Sequence, residues 1–218
     1  KTLNYKYSGS TSGSGIATLY SGVNATNNLN INLNNSTNTT GGVVGAYADG
    51  GGNFTNTGNI TGTSNAAEFG IVVDKNTNVV NSGNITLGNA NSLSKGNVGI
   101  YVKTSPNTIT NSGNITVGNN SIALYGYGVT HTNGNITAGD NSIGIYSQGG
   151  NISLTGGTLA VGRNEAVGVF TSGANQTITG TNAMTIGDTS YGYVIKGAGH
   201  NLTTNNAGGV TLGNDSVY

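Results

Sequence analysis

A short motif, Asn-Ile-Thr-(Val/Leu/Ala)-Gly, returns at near-regular intervals and constrains this chain more than any other feature. It stands at 84–88, 114–118 and 135–139, with looser copies centred on Leu159, Met184 and Val210 and earlier ones on Ile31 and Ile60. The mean spacing of these copies is about 25 to 26 residues, within the range of solenoid repeats. A second motif follows each copy, reading apolar-Gly-apolar-aromatic. Examples are Val98-Gly99-Ile100-Tyr101, Ile143-Gly144-Ile145-Tyr146 and Val167-Gly168-Val169-Phe170. A third segment precedes the first motif and holds short β-type runs such as Val79-Val80 and Thr108-Ile109-Thr110.

Each repeat therefore carries three short strand-like segments separated by Gly/Asn/Ser corners, with period 2 or β-branched runs and no helical period. This pattern predicts an all-β fold. The expected architecture is a right-handed parallel β-helix, a solenoid with three short strands per coil and about eight coils of about 25 residues. Residues 1–218 read as one β-helix segment, with 1–23 a less regular first coil. The chain stops inside a motif, at Ser216-Val217-Tyr218, which reads as a fragment of a longer solenoid.

Alternation points Ile85/Leu87, Ile115/Val117, Ile136/Ala138, Leu159/Val161, Met184/Ile186 and Val210/Leu212 inward, with Asn and Thr outward. Four residues before each central apolar residue lie Asn27, Asn56, Asn81, Asn111, Thr132, Thr155, Gly180 and Asn206. The Asn members suit a corner ladder, because Asn tolerates left-handed backbone and its amide can bond the amide one coil on. The aromatic column Tyr47, Tyr101, Tyr125, Tyr146 and Phe170 has two readings. With Ile143 and Ile145 inside it forms an outward stripe; with Gly144 and Tyr146 inside it is core. Alternation favours the stripe only slightly.

Only 6% of residues are charged and the formal net charge is zero. That excludes a nucleic-acid partner, which needs clustered Lys and Arg. No catalytic residue, metal ligand or cofactor is predicted. His131 and His200 lack metal spacing, and the acids Asp49, Glu68, Asp74, Asp140, Glu165, Asp188 and Asp215 fall on different coils. Asp140, Asp188 and Asp215 share a corner with Asn119, Asn120 and Arg163 and read as turn residues. The Gly-Gly-x-Gly-x-Asp repeat of calcium-loaded β-rolls is absent. An outward Thr column (Thr86, Thr116, Thr137, Thr185, Thr211) is interrupted by Ala160, which weakens an ice-ordering reading.

Three consecutive early coils carry inserts at one corner, roughly 35–43, 63–68 and 89–97. Insertions in solenoids gather on one face, often the binding face. Candidate binding residues are therefore Asn35, Ser36, Thr37, Thr63, Ser64, Asn89, Asn91, Ser92 and Lys95. Lys103 joins them from a further loop at 103–107 that carries the only proline, Pro106.

The strings at 111–121 (NSGNITVGNNS) and 139–146 (GDNSIGIY) resemble passenger domains of type V autotransporters. The nearest likeness is to the large Gly/Asn-rich outer-membrane adhesins of fusobacterial type, over about 24–218. The resemblance implies export and display on the extracellular face of a bacterial outer membrane through a C-terminal barrel outside this stretch. It implies a monomeric rod that binds a host or bacterial cell-surface glycan or protein receptor, or that serves as the stalk presenting such a site. A polysaccharide-active β-helix enzyme and a purely structural spacer or filament element are the alternatives.

Overall fold

A computed structural model describes residues 1–6, 15–34, 42–63 and 67–218. The described strands form three sheets in which neighbours are successive coils. The first holds nine strands, from Thr2–Asn4 to Val210–Leu212; the second holds eight, from Gly15–Tyr20 to Tyr191–Ala198; the third holds eight, from Thr26–Asn27 to Asn201–Thr204. Pairing is parallel and in register: Ile85 lies between Ile60 and Ile115, and Thr86 between Thr61 and Thr116. The fold is thus a parallel β-solenoid of about eight turns with three strands per coil. Its first coil already joins the sheets, since Thr2–Asn4 pairs with Asn30–Asn32 and Gly15–Tyr20 with Val43–Ala48.

Alternation places the core as the first motif predicts. Ile31, Ile60, Ile85, Ile115, Ile136, Leu159 and Met184 are buried in one column, and Leu87, Val117, Val161 and Ile186 in the next. Leu212, on the last coil, is 47% exposed. The second and third sheets add Ile71, Ile100, Leu124, Ile145 and Val169, and Phe54, Val79, Ile109, Val129, Ile152 and Ile178. Each buried aliphatic contributes roughly 1.5–3 kcal/mol.

The second sheet departs from simple alternation at its glycines. The ladder pairs Val98 with Ile122 and Ile100 with Leu124 but skips Gly99. A Cβ on Gly99 would meet the Ala123 carbonyl oxygen at 2.5 Å and the Ile115 side chain at 2.8 Å. The same crowding holds Gly45, Gly70 and Gly144 against Ile60, Ile85 and Leu159. The chain bends there, so the glycine and the residue after it both turn inward. The residues before and after that pair both turn outward. Neither sequence reading of the aromatic column survives intact: Ile145 is buried, while Ile143 and Tyr146 are both half-buried on the outer face.

The corner between the third and first sheets also corrects the sequence alignment. Asn27, Asn56, Asn81 and Asn111 do stack, but their side chains are fully buried. The next members are His131, Leu154, Gly180 and Thr204, so Thr132, Thr155 and Asn206 lie outside the column. Two of these corners are one residue longer, with Gly134 (φ 77°) and Gly157 (φ 70°) in left-handed backbone that glycine adopts without strain. The left-handed Asn residues are others, such as Asn120, Asn141 and Asn164.

The buried ladder has a direction. Tyr20 Oη donates to Asn27 Oδ1 (2.7 Å), and each amide then donates to the next: Asn27 to Asn56, Asn56 to Asn81, and Asn81 to Asn111, all at 2.7 Å. The second N–H of each Asn goes to a carbonyl two residues on, that of Leu29, Gly58, Gly83 or Gly113. Both N–H groups of Asn111 are therefore committed, and the second meets His131 Nδ1 at 3.1 Å. That nitrogen must accept, so the imidazole is neutral with its proton on Nε2. Burial pushes the His131 pKa below the usual 6.5, while backbone contacts with Asn111 and Gly134 push the other way.

An exposed corner carries a second ladder, in which backbone N–H groups donate to side-chain oxygens. Asn89 accepts from Asn119 N, Asn119 from Asp140 N, Asp140 from Arg163 N and Asp188 from Asn214 N, at 2.7–2.9 Å. Asn and Asp serve equally here, which explains why the position tolerates both.

Three outcomes test this account. Ile115→Asp buries an unpaired charge in the central column and should cost more than about 4 kcal/mol; an unchanged melting temperature would contradict the inward assignment. Asp140→Asn keeps the ladder acceptor and loses only an exposed 3.3 Å ion pair to Arg163, so thermal unfolding should shift by less than about 0.5 kcal/mol. His131 has a folded pKa below its unfolded one, so its contribution is present above pH 6.5 and is lost as pH falls from there toward the folded value. Denaturation between pH 7 and pH 5 should show this loss in the wild type and not in His131→Asn, whose amide oxygen remains an acceptor. Parallel pH slopes for the two proteins would contradict the ladder's polarity.

Candidate functional site: the outer face of the second sheet

Because of the glycine bend, two adjacent columns of the second sheet face outward and both are apolar. One runs Ile16, Val44, Phe69, Val98, Ile122, Ile143, Val167 and Tyr191. The other runs Leu19, Tyr47, Val72, Tyr101, Tyr125, Tyr146, Phe170 and Val194. Ile16, Leu19 and Tyr191 are 42%, 64% and 40% exposed. Val44, Val72 and Val98 are buried within these columns and the other inner members are half-buried, which makes the stripe a candidate interaction surface.

The aromatic rings stack on one another. Centroids lie 4.9 Å apart between Tyr101 and Tyr125, Tyr125 and Tyr146, and Tyr146 and Phe170, with interplanar angles of 43°, 20° and 30°. That separation is the strand spacing, so the rings lie like coins along the rod. In the Tyr125–Tyr146–Phe170 stack each ring covers its neighbour's face, and edges and hydroxyls are what solvent meets. Burial by these neighbours, with the adjacent tyrosines adding, raises the Tyr125 pKa to about 12. The phenol stays neutral at physiological pH. A stack of this kind offers apolar edges to a protein surface and few free faces to a sugar.

Two clefts flank the stripe. One, of about 330 Å³, lies between the stripe and the insert at 89–97, whose Leu93–Lys95 forms a 3₁₀ turn. Leu93, Ser94, Lys95 and Gly96 form its rim, and Phe69, Val98, Tyr101, Ile122 and Tyr125 its floor. The insert is anchored by buried Asn97, which accepts from Glu68 N (2.8 Å) and donates to the Gly88 carbonyl (2.8 Å). The other cleft, of about 270 Å³, is lined by Ile16, Val44, Tyr47, Phe69, Val72, Tyr101 and Lys103. Its edge is charged: Lys103 pairs with Asp74 and Lys75 with Asp49, each at 2.7 Å, and Tyr47 Oη donates to Asp74 (3.2 Å). The Lys103 hydrogen bond, followed by that from Lys75 N, holds the Asp74 carboxyl below its usual range, and Asp74 in turn raises Lys103. Both charges persist across the physiological range.

The structure brings Lys95, Lys103, Tyr47, Tyr101 and Tyr125 to this one face, while Tyr146 and Phe170 extend the stack beyond the clefts. Asn89 is occupied in the corner ladder, and Thr63 and Asn91 are exposed away from the cleft linings. Ser92 bonds Ser94 within the insert (3.1 Å). Asn35, Ser36, Thr37 and Ser64 lie outside the described residues. Sequence reasoning missed the whole first column and Leu93, whose only signal was their place beside the skipped glycine or within an insert. It also missed that Glu68 is buried: a Cβ on Gly62 would lie 2.4 Å from its carboxylate.

Among the described residues no three His, Cys, Asp or Glu side chains gather as a metal site, and no helix is long and apolar enough to cross a membrane. No family model, no curated protein and no solved structure matches the chain.

Proposed function

We propose that this chain is a segment of a bacterial cell-surface adhesin of the autotransporter passenger type, a rigid rod whose second-sheet face docks a protein receptor. The observation that carries the reading is the double apolar column across eight coils, bordered by an anchored insert on one side and an ion-pair ladder on the other. A spacer needs no such face, and an apolar stripe this long is a liability unless it is used. The polysaccharide-cleaving alternative needs paired carboxylates, and it gains little support. Asp49, Asp74 and Asp140 are each held by a Lys or Arg.

The test is binding of the purified chain to intact bacterial and animal cells by flow cytometry, with Leu93→Asp and Tyr101→Ser as variants. Both side chains lie outside the core, so folding should persist with a stability loss of about 1–2 kcal/mol or less. Wild-type binding that falls at least tenfold in both variants is expected. A wild type that binds no cell, or variants that bind as well as wild type, would leave the chain a spacer.

A further inference from the structure

A cleft of about 470 Å³ lies at the next corner, between the second and third sheets, away from the aromatic clefts. Its roof is the loop at 103–107, represented by Ser105 and Pro106. Its floor is Tyr127 with Thr108 and Thr130, and its far wall is Gln148, Gly149, Gly150 and Asn151. The volume falls in the range of small-molecule sites. The loop is braced rather than free: Thr104 Oγ1 donates to the Lys75 carbonyl (2.7 Å), and Asn107 donates to the same carbonyl and to Thr104 Oγ1 (2.9 Å).

None of the residues lining the cleft is charged. The same corner one and two coils earlier carries Asp49, Asp74 and Lys75. The two amides are oriented by bonds outside the cleft. Gln148 Nε2 donates to Tyr125 Oη, which leaves Oε1 as a free acceptor. Asn151 Oδ1 accepts from Thr177 N (2.9 Å), which leaves its Nδ2 as a free donor. The Thr130 and Ser105 hydroxyls and Tyr127 Oη carry no protein hydrogen bond. Gly149 keeps the flank of the tyrosine open, because a Cβ there would meet only Tyr127 Cδ1, at 3.9 Å. Tyr127, unlike Tyr125 and Tyr146, stands outside the ring stack.

A fixed donor, a fixed acceptor, several hydroxyls, one unstacked aromatic ring and no charge match a ligand with a hydroxylated edge, an apolar C–H face and no net charge. We infer that this cleft binds a neutral saccharide, one or a few hexose units, with Tyr127 under the ring and Gln148 and Asn151 bonding its hydroxyls. The inference rests on the adhesive reading for its setting, and adds a glycan site separate from the protein-docking face.

The test is saturation-transfer NMR on the whole chain with glucose, galactose, mannose, N-acetylglucosamine and lactose, and with sialic acid and inorganic phosphate as charged comparators. At least one neutral sugar should bind, the charged probes should not, and affinity should fall at least tenfold in Tyr127→Ala and in Gly149→Val. The second variant fills the open flank without touching the core, so it remains informative if loss of Tyr127 impairs folding. No neutral sugar bound, a preference for the anions, or equal binding by Gly149→Val would overturn the inference. Cell binding that persists alongside any of these results overturns the cleft alone. Sugar binding lost in Gly149→Val, from a protein that binds no cell, supports the cleft and overturns the adhesive reading alone.

Discussion

In-register parallel pairing between coils is the constraint on which the rest of this structure depends. It sets each side chain about 4.8 Å from its counterpart one coil away, so every position is chosen against itself. Aliphatic on aliphatic makes the core, amide on amide makes the Asn ladder, and ring on ring makes the aromatic stack. Charge on like charge is the one combination the geometry penalises heavily, at about 3 to 4 kcal/mol for unit charges at that spacing under a surface-like dielectric. The low charge content follows from this. Where like charges do stack they are offset by opposite ones: Asp49 and Asp74, counterparts on successive coils, pair with Lys75 and Lys103, and Asp140 pairs with Arg163.

The Asn ladder shows the same rule inside the core. Four buried amides would be costly unpaired, yet each uses both N–H groups and its oxygen accepts from the previous member. Such a chain must begin with a donor and end with an acceptor. Tyr20 supplies the first and neutral His131 the second. Past His131 the column becomes Leu154 and Gly180, so the polar ladder gives way to apolar packing within one coil.

Much of this was legible in the sequence. The repeat interval, the three strands per coil and the inward aliphatics of the first motif follow from spacing and alternation. Two things were not. Alternation counts every residue, and it fails where a glycine is squeezed between its neighbours' backbone and the Ile115 or Leu159 side chain. The outward Ile143 column was invisible for that reason, although the glycine itself was conspicuous. The His131 position was lost because counting back from Ile136 assumes corners of equal length, and Gly134 lengthens that corner by one residue. The insert at 89–97 was visible as extra length, but its orientation over Phe69 and Tyr125 depends on the buried Asn97, whose role has no local signature.

Periodicity also creates a difficulty that the irregular parts of the rod resolve. A stripe repeated every 4.8 Å presents nearly the same surface at each coil, so a partner docked on it has several registers of similar energy. Specific binding needs something that occurs once. The turn at Leu93–Lys95, the ion-pair ladder from Asp49 to Lys103 and the braced loop at 103–107 all fall on neighbouring coils in the first half of the rod. They break the translational symmetry at one place, on both edges of the apolar face. The repetitive residues supply a rigid and nearly uniform apolar face, and these few exceptions to the repeat make one stretch of that face unlike the rest.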